Sequence, residues 1–230
     1  MNSESIVWRT AVWIIPLVVA IVFHEVAHGW MAKWLGDPTA AERRRLSFNP
    51  VRHIDPVGTV ILPLGLAIAG APVFGWAKPV PVVAERLHNP RWGMVAVALA
   101  GPGMNLALAL LTAIALGIAG LTTHGIQPAS IAAFIVDNLF NFLVVNVFLA
   151  LFNLLPIPPF DGSHVVEGVL PRPLAARYAR IGQFGMLLLI GLIVVLPMLS
   201  PRLDIVGRLV APPAQMVISW FLHLAAAIGG

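Results

Sequence analysis

Two histidines and a glutamate lie within an apolar stretch near the start of the sequence, IVFHEVAHGW at residues 21–30. His24 and His28 are four residues apart, so a helix would project both imidazoles from one face, where they can bind the same Zn²⁺ ion. Glu25 is next to the first histidine, where a carboxylate can accept a proton from a water molecule. Because ionisable groups within apolar segments are costly and usually functional, the stretch predicts a metal site. The alternative is that neighbouring helices satisfy the three side chains by hydrogen bonds.

A catalytic zinc ion usually has three protein ligands, so two imidazoles leave the predicted site incomplete. FNLLPIPPFDGSHVVEG, residues 152–168, ends an apolar segment with a proline-broken turn that contains Asp161. Asp161 is the first candidate for the third ligand, and His164 is the alternative. The turn could also be an ordinary one, with Asp161 and Gly162 serving turn chemistry. The absence of cysteine excludes thiolate ligands and disulfides.

The elements that position these residues are expected to be membrane helices. Of the 230 residues, 59% are hydrophobic and only 10% are charged, which is the composition of a membrane protein. No small-residue cleavage site follows the first apolar run, so we expect that segment to be retained. Six segments are candidates for membrane helices, at residues 7–35, 57–74, 92–121, 131–155, 181–199 and 205–227.

The second of these segments is repeatedly interrupted by proline and glycine. Irregular backbone at membrane depth requires protein or water around it, so we expect a re-entrant or short, broken element. Its tail KPVPVV could form a short strand, and residues 80–83 could pair with an extended substrate segment at an edge. We therefore predict one all-α polytopic membrane domain over residues 1–230, with about five to six transmembrane helices and at most a short β element.

The formal net charge of +4 comes from basic residues in short loops between apolar segments, so no nucleic-acid partner is expected. Lysine and arginine cluster at residues 33–52, 78–91 and 172–180, whereas residues 121–130 carry only His124. By the positive-inside rule, the three basic regions are cytoplasmic and the N-terminus is outside. The predicted site then faces the cytoplasmic side of what we expect to be a prokaryotic cell membrane.

HEVAH within a membrane segment, followed by NLLPIPPFDG, resembles the site-2 protease family of intramembrane zinc metalloproteases. AGPGMN at residues 100–105 resembles a further signature of that family, and the resemblance covers most of the chain. Since no PDZ or CBS domain is evident, the chain resembles a minimal core member. The resemblance implies one Zn²⁺ ion per chain, held by His24, His28 and Asp161, with Glu25 as general base. It also implies that Asn153 lines the active site near the scissile peptide.

The residues and the resemblance together predict an endopeptidase that cleaves transmembrane or membrane-associated proteins within the lipid bilayer. Asn153 is the candidate donor to the developing oxyanion, although it could instead cap the broken backbone. Asn105 is a weaker candidate, because it could contact either the substrate backbone or only a neighbouring helix. The alternative function is a membrane transporter or metal-handling protein that uses the same His/Glu/Asp cluster.

Overall fold

Helices make up most of the structure, a computed structural model that describes residues 6–68, 70, 75–118, 120 and 130–229. No strand occurs in these residues. Short 3₁₀ or π-helical turns cover Pro50–His53, Pro56–Ile61, Ala84–Arg86, Gly191–Val195 and Pro201–Leu203. The α-helices are α1 (Ile6–Trp34), α2 (Thr39–Glu42), α3 (Leu62–Ile68), α4 (Pro90–Ile118), α5 (Ile131–Asn153), α6 (Asp161–Val169), α7 (Arg172–Gly182), α8 (Gly185–Ile190), α9 (Leu196–Leu199) and α10 (Ile205–Gly229).

Four of these helices, α1, α4, α5 and α10, are long and apolar enough to cross a membrane, at 29, 29, 23 and 25 residues. A hydrocarbon core needs about 20 residues of helix. A fifth crossing is formed if α7 and the helical run Gly185–Leu199, which meet at a bend of 66°, count as one span. The prediction of an all-α polytopic membrane protein is thereby confirmed. Residues 119 and 121–129, which include His124 and the predicted outer loop, lie outside the described residues.

The broken second segment begins with the π-helical turn Pro56–Ile61 and continues into α3. Asp55 caps this start, because its Oδ1 accepts hydrogen bonds from the N–H groups of Val57 at 3.0 Å and Gly58 at 2.7 Å. α3 ends at Ile68, and residues 69 and 71–74 lie outside the described residues. From residue 75 to 83 the backbone forms neither helix nor strand. The expected short β element is therefore not formed there, and we call residues 75–83 the strap.

The interior of the bundle is built where α1, α4 and α5 pack against one another and α10 packs on α4 and α5. A core cluster between α4, α5 and α10 contains Ala109, Ala113, Leu143, Val147 and Phe221. Small residues at helix crossings allow the close backbone approach that stabilises membrane bundles. The shorter α6 packs on α4, which brings the start of α6 next to the polar stretch of α1.

α1 contains a proline at position 16, which lacks the N–H that would bond to the carbonyl of Val12 one turn earlier. Asn141 on α5 supplies the missing donor, because its Nδ2 lies 2.8 Å from Val12 O and the contact is buried. An unsatisfied carbonyl inside a bilayer is costly, so the asparagine compensates for the proline. This pair fixes the position of α1 against α5 in the N-terminal half of α1.

Candidate active site

His24 and His28 project from the same face of α1, and both are buried, at 5% and 8% exposure. The Nδ1–H of His24 donates to Asn105 Oδ1 at 2.6 Å, and the Nδ1–H of His28 donates to Val97 O at 2.7 Å. These two acceptors on α4 fix the tautomer of both rings, so each Nε2 retains a lone pair. The two Nε2 atoms lie 3.0 Å apart. The histidines are thus oriented as a pair of metal ligands.

Asp161 completes a three-ligand group. It is the first residue of α6, and its Oδ2 lies 3.2 Å from His24 Nε2 and 3.3 Å from His28 Nε2. Tetrahedral zinc with bonds near 2.0–2.1 Å places its ligand atoms about 3.3 Å from one another. In the described part of the chain, these three residues are the one group of three or more potential metal ligands that converge.

The polar atoms of this group need a cation. Asp161 Oδ2 is buried and receives no hydrogen bond, and the lone pairs of the two imidazoles face it. Three electron-rich atoms in a buried site are stable only if a cation or a proton lies between them. The donor set of two imidazoles and one carboxylate is typical of catalytic zinc sites. The residues present therefore fit a zinc ion.

The local sequence explains how Asp161 reaches α1. α5 ends at Asn153, and the next residues form a tight turn in which Phe160 N–H donates to Ile157 O at 3.0 Å. Leu155 and Phe160 are buried in a core cluster that anchors both ends of this turn. Residue 162 must be glycine, because a Cβ there would collide with the carbonyl of Leu154. The turn therefore reverses the chain and places the start of α6 beside the histidines.

Glu25 is hydrogen-bonded to the strap. Its Oε2 accepts a 2.8 Å hydrogen bond from the backbone N–H of Val80. The bond engages one carboxylate oxygen and leaves the other for a further partner. Nothing in the residue types predicted this contact, since a backbone N–H has no signature in the sequence.

The strap is anchored to the rest of the protein by its own N–H groups. Lys78 N–H donates to His53 O at 2.8 Å, Val80 N–H donates to Glu25, and Val83 N–H donates to Asp37 Oδ2 at 2.6 Å. Pro79 and Pro81 have no N–H to offer. Pairing of residues 80–83 with an extended substrate would need free backbone N–H groups along one edge. In this conformation the strap does not present a row of free N–H groups.

Gly101 on α4 packs directly against the two histidines. A Cβ at this position would lie 2.6 Å from His24 Cε1 and still closer to His28 Nε2. Real Cβ atoms do not approach other atoms so closely, so only glycine allows α4 this near to the ligands. Nothing in the AGPGMN motif itself predicted that its first glycine would pack against His24 and His28.

Asn105, on the same motif, is fully buried. Besides accepting from His24, it donates through Nδ2 to Ala20 O at 3.2 Å and to Asn146 Oδ1 at 2.8 Å. All of these partners belong to α1 and α5, so Asn105 connects the three central helices behind His24. This position favours contact with neighbouring helices, rather than with a substrate.

Asn153 and His164 lie outside the ligand group. Asn153 Nδ2 donates to Leu149 O of its own helix at 2.9 Å, and one N–H of the amide remains for another acceptor. His164 Nδ1 lies 3.3 Å from Glu167 Oε2, and its side chain is 44% exposed. The structure thus brings Asp161 to the histidines, and not His164.

Known proteins that are similar to this chain agree with a zinc site. The model of peptidase family M50 matches residues 117–193. YwhC of Bacillus subtilis, which is named as a zinc metalloprotease, is 33% identical over 204 residues, covering 85% of this chain and 89% of the relative. Rip2 of Mycolicibacterium smegmatis, named in the same way, is 30% identical over 179 residues, covering 77% of this chain and 64% of the relative. No solved structure matches the chain.

These relatives and the membrane helices, together with a converging group of two histidines and one aspartate that could hold a metal, define a multi-pass membrane zinc metallopeptidase. The transporter alternative is not favoured by any of them. The chain belongs to peptidase family M50, the site-2 protease family. Its cofactor is Zn²⁺, as the relatives imply and as the ligand group allows.

Proposed function

We propose that this protein is an intramembrane endopeptidase that hydrolyses peptide bonds of transmembrane or membrane-associated proteins, in the manner of regulated intramembrane proteolysis. One domain, residues 1–230, would carry the whole reaction. His24, His28 and Asp161 would hold one zinc ion, and Glu25 would be the general base. The observation that carries the proposal is the convergence of three ligand atoms within 3.0–3.3 Å of one another at the centre of a membrane bundle.

The protein contributes orientation and proton transfer. When bound, zinc lowers the pKa of a water molecule towards 7 and polarises the carbonyl of the peptide. Glu25 accepts a proton through the oxygen that the strap leaves unengaged, and returns it to the leaving amine. The hydrogen bond from Val80 N–H holds the carboxylate in one orientation for both transfers.

Asn153 is proposed to contact the substrate peptide. It is the last residue of α5, just before the turn that carries Asp161. Its amide N–H that is not used by Leu149 can donate to a substrate carbonyl without introducing charge. Asn105 would act indirectly, by fixing the ring of His24.

The site is proposed to lie towards the cytoplasmic side of a prokaryotic cell membrane. Support comes from basic residues at the C-terminal end of α1 and just after it, which include Lys33, Arg43 and Arg44. His24 and His28 are in the C-terminal half of α1, so they lie nearer to this basic end. Water can then reach the zinc from the cytoplasm without crossing the full bilayer.

The test compares the wild type with Glu25→Gln. Glutamine retains an oxygen that can accept from Val80 N–H but has no basic carboxylate, so the variant should bind zinc and lose proteolysis. Zinc content is measured on the purified proteins, and proteomics of membrane fractions identifies single-pass proteins that accumulate in the variant. Glu85→Gln, which removes an exposed carboxylate, is the matched control and should behave as the wild type.

Retained proteolysis in Glu25→Gln would overturn the mechanism. Wild-type protein without bound zinc would overturn the ligand assignment. A variant that accumulates no membrane protein but changes zinc flux across vesicles would favour the transporter alternative.

A further inference from the structure

α7 is strongly amphipathic and basic. It has the sequence RPLAARYARIG, with three arginines and no acidic residue. At about 100° per residue, Arg172, Arg177 and Arg180 fall within an arc of about 140°. Leu174, Ala175, Tyr178 and Ile181 occupy the opposite side.

Neither face is fully covered by the protein. The three arginines are exposed, and none of them forms an ion pair with a carboxylate in the described residues. On the apolar side, Leu174 is 48% exposed and Ile181 is 45% exposed. An exposed apolar stripe beside an exposed row of arginines is typical of a helix at a membrane interface.

The bend after α7 gives it the orientation that such a helix needs. Residues 185–199 run on as an apolar helical segment, and its direction differs from that of α7 by 66°. If residues 185–199 enter the bilayer along its normal, the bend of 66° leaves α7 much nearer to the membrane plane than to the normal. The arginines can then face the headgroups while Leu174 and Ile181 face the acyl chains.

We propose that α7 is a surface helix that binds the headgroups of anionic phospholipids through Arg172, Arg177 and Arg180. Guanidinium groups bind phosphate oxygens in a bidentate manner, and a negative membrane surface attracts each arginine with an energy that corresponds to about a fivefold change in binding. The occupant is a lipid, because the exposed arginines lie beside the exposed apolar side chains of Leu174 and Ile181, and a phospholipid offers both a phosphate and acyl chains.

Lipid binding at α7 would also affect the turn before α6. Tyr178 OH donates to Pro156 O at 2.8 Å, and a Cβ at Gly185 would lie 3.2 Å from Pro159 N. α7 and the start of α8 thus contact the turn that carries Asp161. This consequence for the zinc site rests on the proposed function, whereas lipid binding itself does not.

The experiment uses the absence of cysteine in the chain, which allows a single nitroxide label on the full-length protein. Ile181→Cys reports the apolar face and Ala176→Cys reports the arginine face. Each labelled protein is reconstituted in vesicles of phosphatidylcholine alone and of phosphatidylcholine with phosphatidylglycerol. Collisions with oxygen and with a water-soluble nickel complex then measure the depth of the label by electron paramagnetic resonance.

With phosphatidylglycerol present, the Ile181 label should be accessible to oxygen and the Ala176 label to nickel. Changing the arginines one by one to glutamine should reduce the ratio of docked to undocked helix about fivefold at each step, and high salt should do the same. The control changes Arg9, Arg202 and Arg208 to glutamine, which removes three exposed arginines that are not part of α7 and should leave the depth unchanged.

Equal depth in both lipid mixtures and in the arginine variants would overturn the proposal. So would an Ile181 label that is exposed to nickel in every vesicle. Protection of this label only after addition of a polyglutamate peptide would show that the surface binds an acidic protein segment instead of lipid.

Discussion

The side-chain amide of Asn105 on α4 accepts a 2.6 Å hydrogen bond from Nδ1 of His24 on α1, and donates to Asn146 on α5. One fully buried residue therefore connects the three central helices to His24, a proposed zinc ligand. The arrangement fixes the position of His24 and directs its Nε2 towards Asp161. In zinc sites, such a partner of a ligating histidine sets both the tautomer and the orientation of the ring.

Replacing Asn105 with leucine should weaken zinc binding about 10- to 100-fold, because His24 loses the acceptor that orients it. The measurement is zinc affinity by competition with a chromogenic chelator. Asn138→Leu is the control, since Asn138 donates only to Phe134 O of its own helix and should not affect zinc. Equal zinc affinity of the two variants would contradict the role of Asn105.

Replacing Gly101 with alanine should abolish the zinc site, because the added Cβ would collide with both histidine rings. Gly103→Ala is a sharp control, since a Cβ there meets nothing within 4 Å. Both positions lie on α4, so the two substitutions have a similar effect on helix propensity. Zinc content and proteolysis should be lost in Gly101→Ala alone, and normal zinc content in that variant would show that α4 does not pack on the ligands.

Asp37 should make the stability of the protein depend on pH. Burial alone would raise the pKa of this carboxyl group, but hydrogen bonds from Thr39 and Val83 and the charge of Arg86 outweigh it, so the pKa is lowered. The group follows the end of α1 and is fully buried. A pKa that is lower in the folded state gives stabilisation that is complete above the unfolded value of about 3.9 and is lost as the pH falls through the folded value.

The variant Asp37→Asn should therefore melt below the wild type at neutral pH, with a difference in Tm that shrinks as the pH falls through the folded pKa. Thermal unfolding in detergent over a pH series measures this difference. Asp55→Asn is the control, because Asp55 caps the short helical turn Pro56–Ile61. This substitution leaves the hydrogen bond between Asp37 and Val83 of the strap in place. A difference in Tm for Asp37→Asn that stays constant with pH would contradict the expectation.

Residue types and spacing predicted those features that depend on residues close together in the sequence, such as long apolar helices and closely spaced ligands. Long apolar segments of the sequence predicted the membrane helices α1, α4, α5 and α10. The spacing of four residues between His24 and His28 predicted that both side chains lie on the same face of α1. The contact of Glu25 with Val80 could not be predicted, because the donor is backbone and lies 55 positions away. The short strand that residues 78–83 could have formed does not occur, because Pro79 and Pro81 lack an N–H group and the N–H groups of Lys78, Val80 and Val83 donate to partners outside the strap.

The pair of Pro16 and Asn141 offers a test of how the bundle is assembled. Pro16 leaves the carbonyl of Val12 without its helical partner, and Asn141 replaces that donor from α5. Asn141→Leu should destabilise the protein by about 1 kcal/mol, the usual size of an interhelical hydrogen bond in membranes. In the background Pro16→Ala, residue 16 regains its N–H and can donate to Val12 O, so the same asparagine change should cost much less. Unfolding in detergent of the four proteins in this cycle gives the coupling energy, and additive effects would mean that Asn141 does not compensate for the proline.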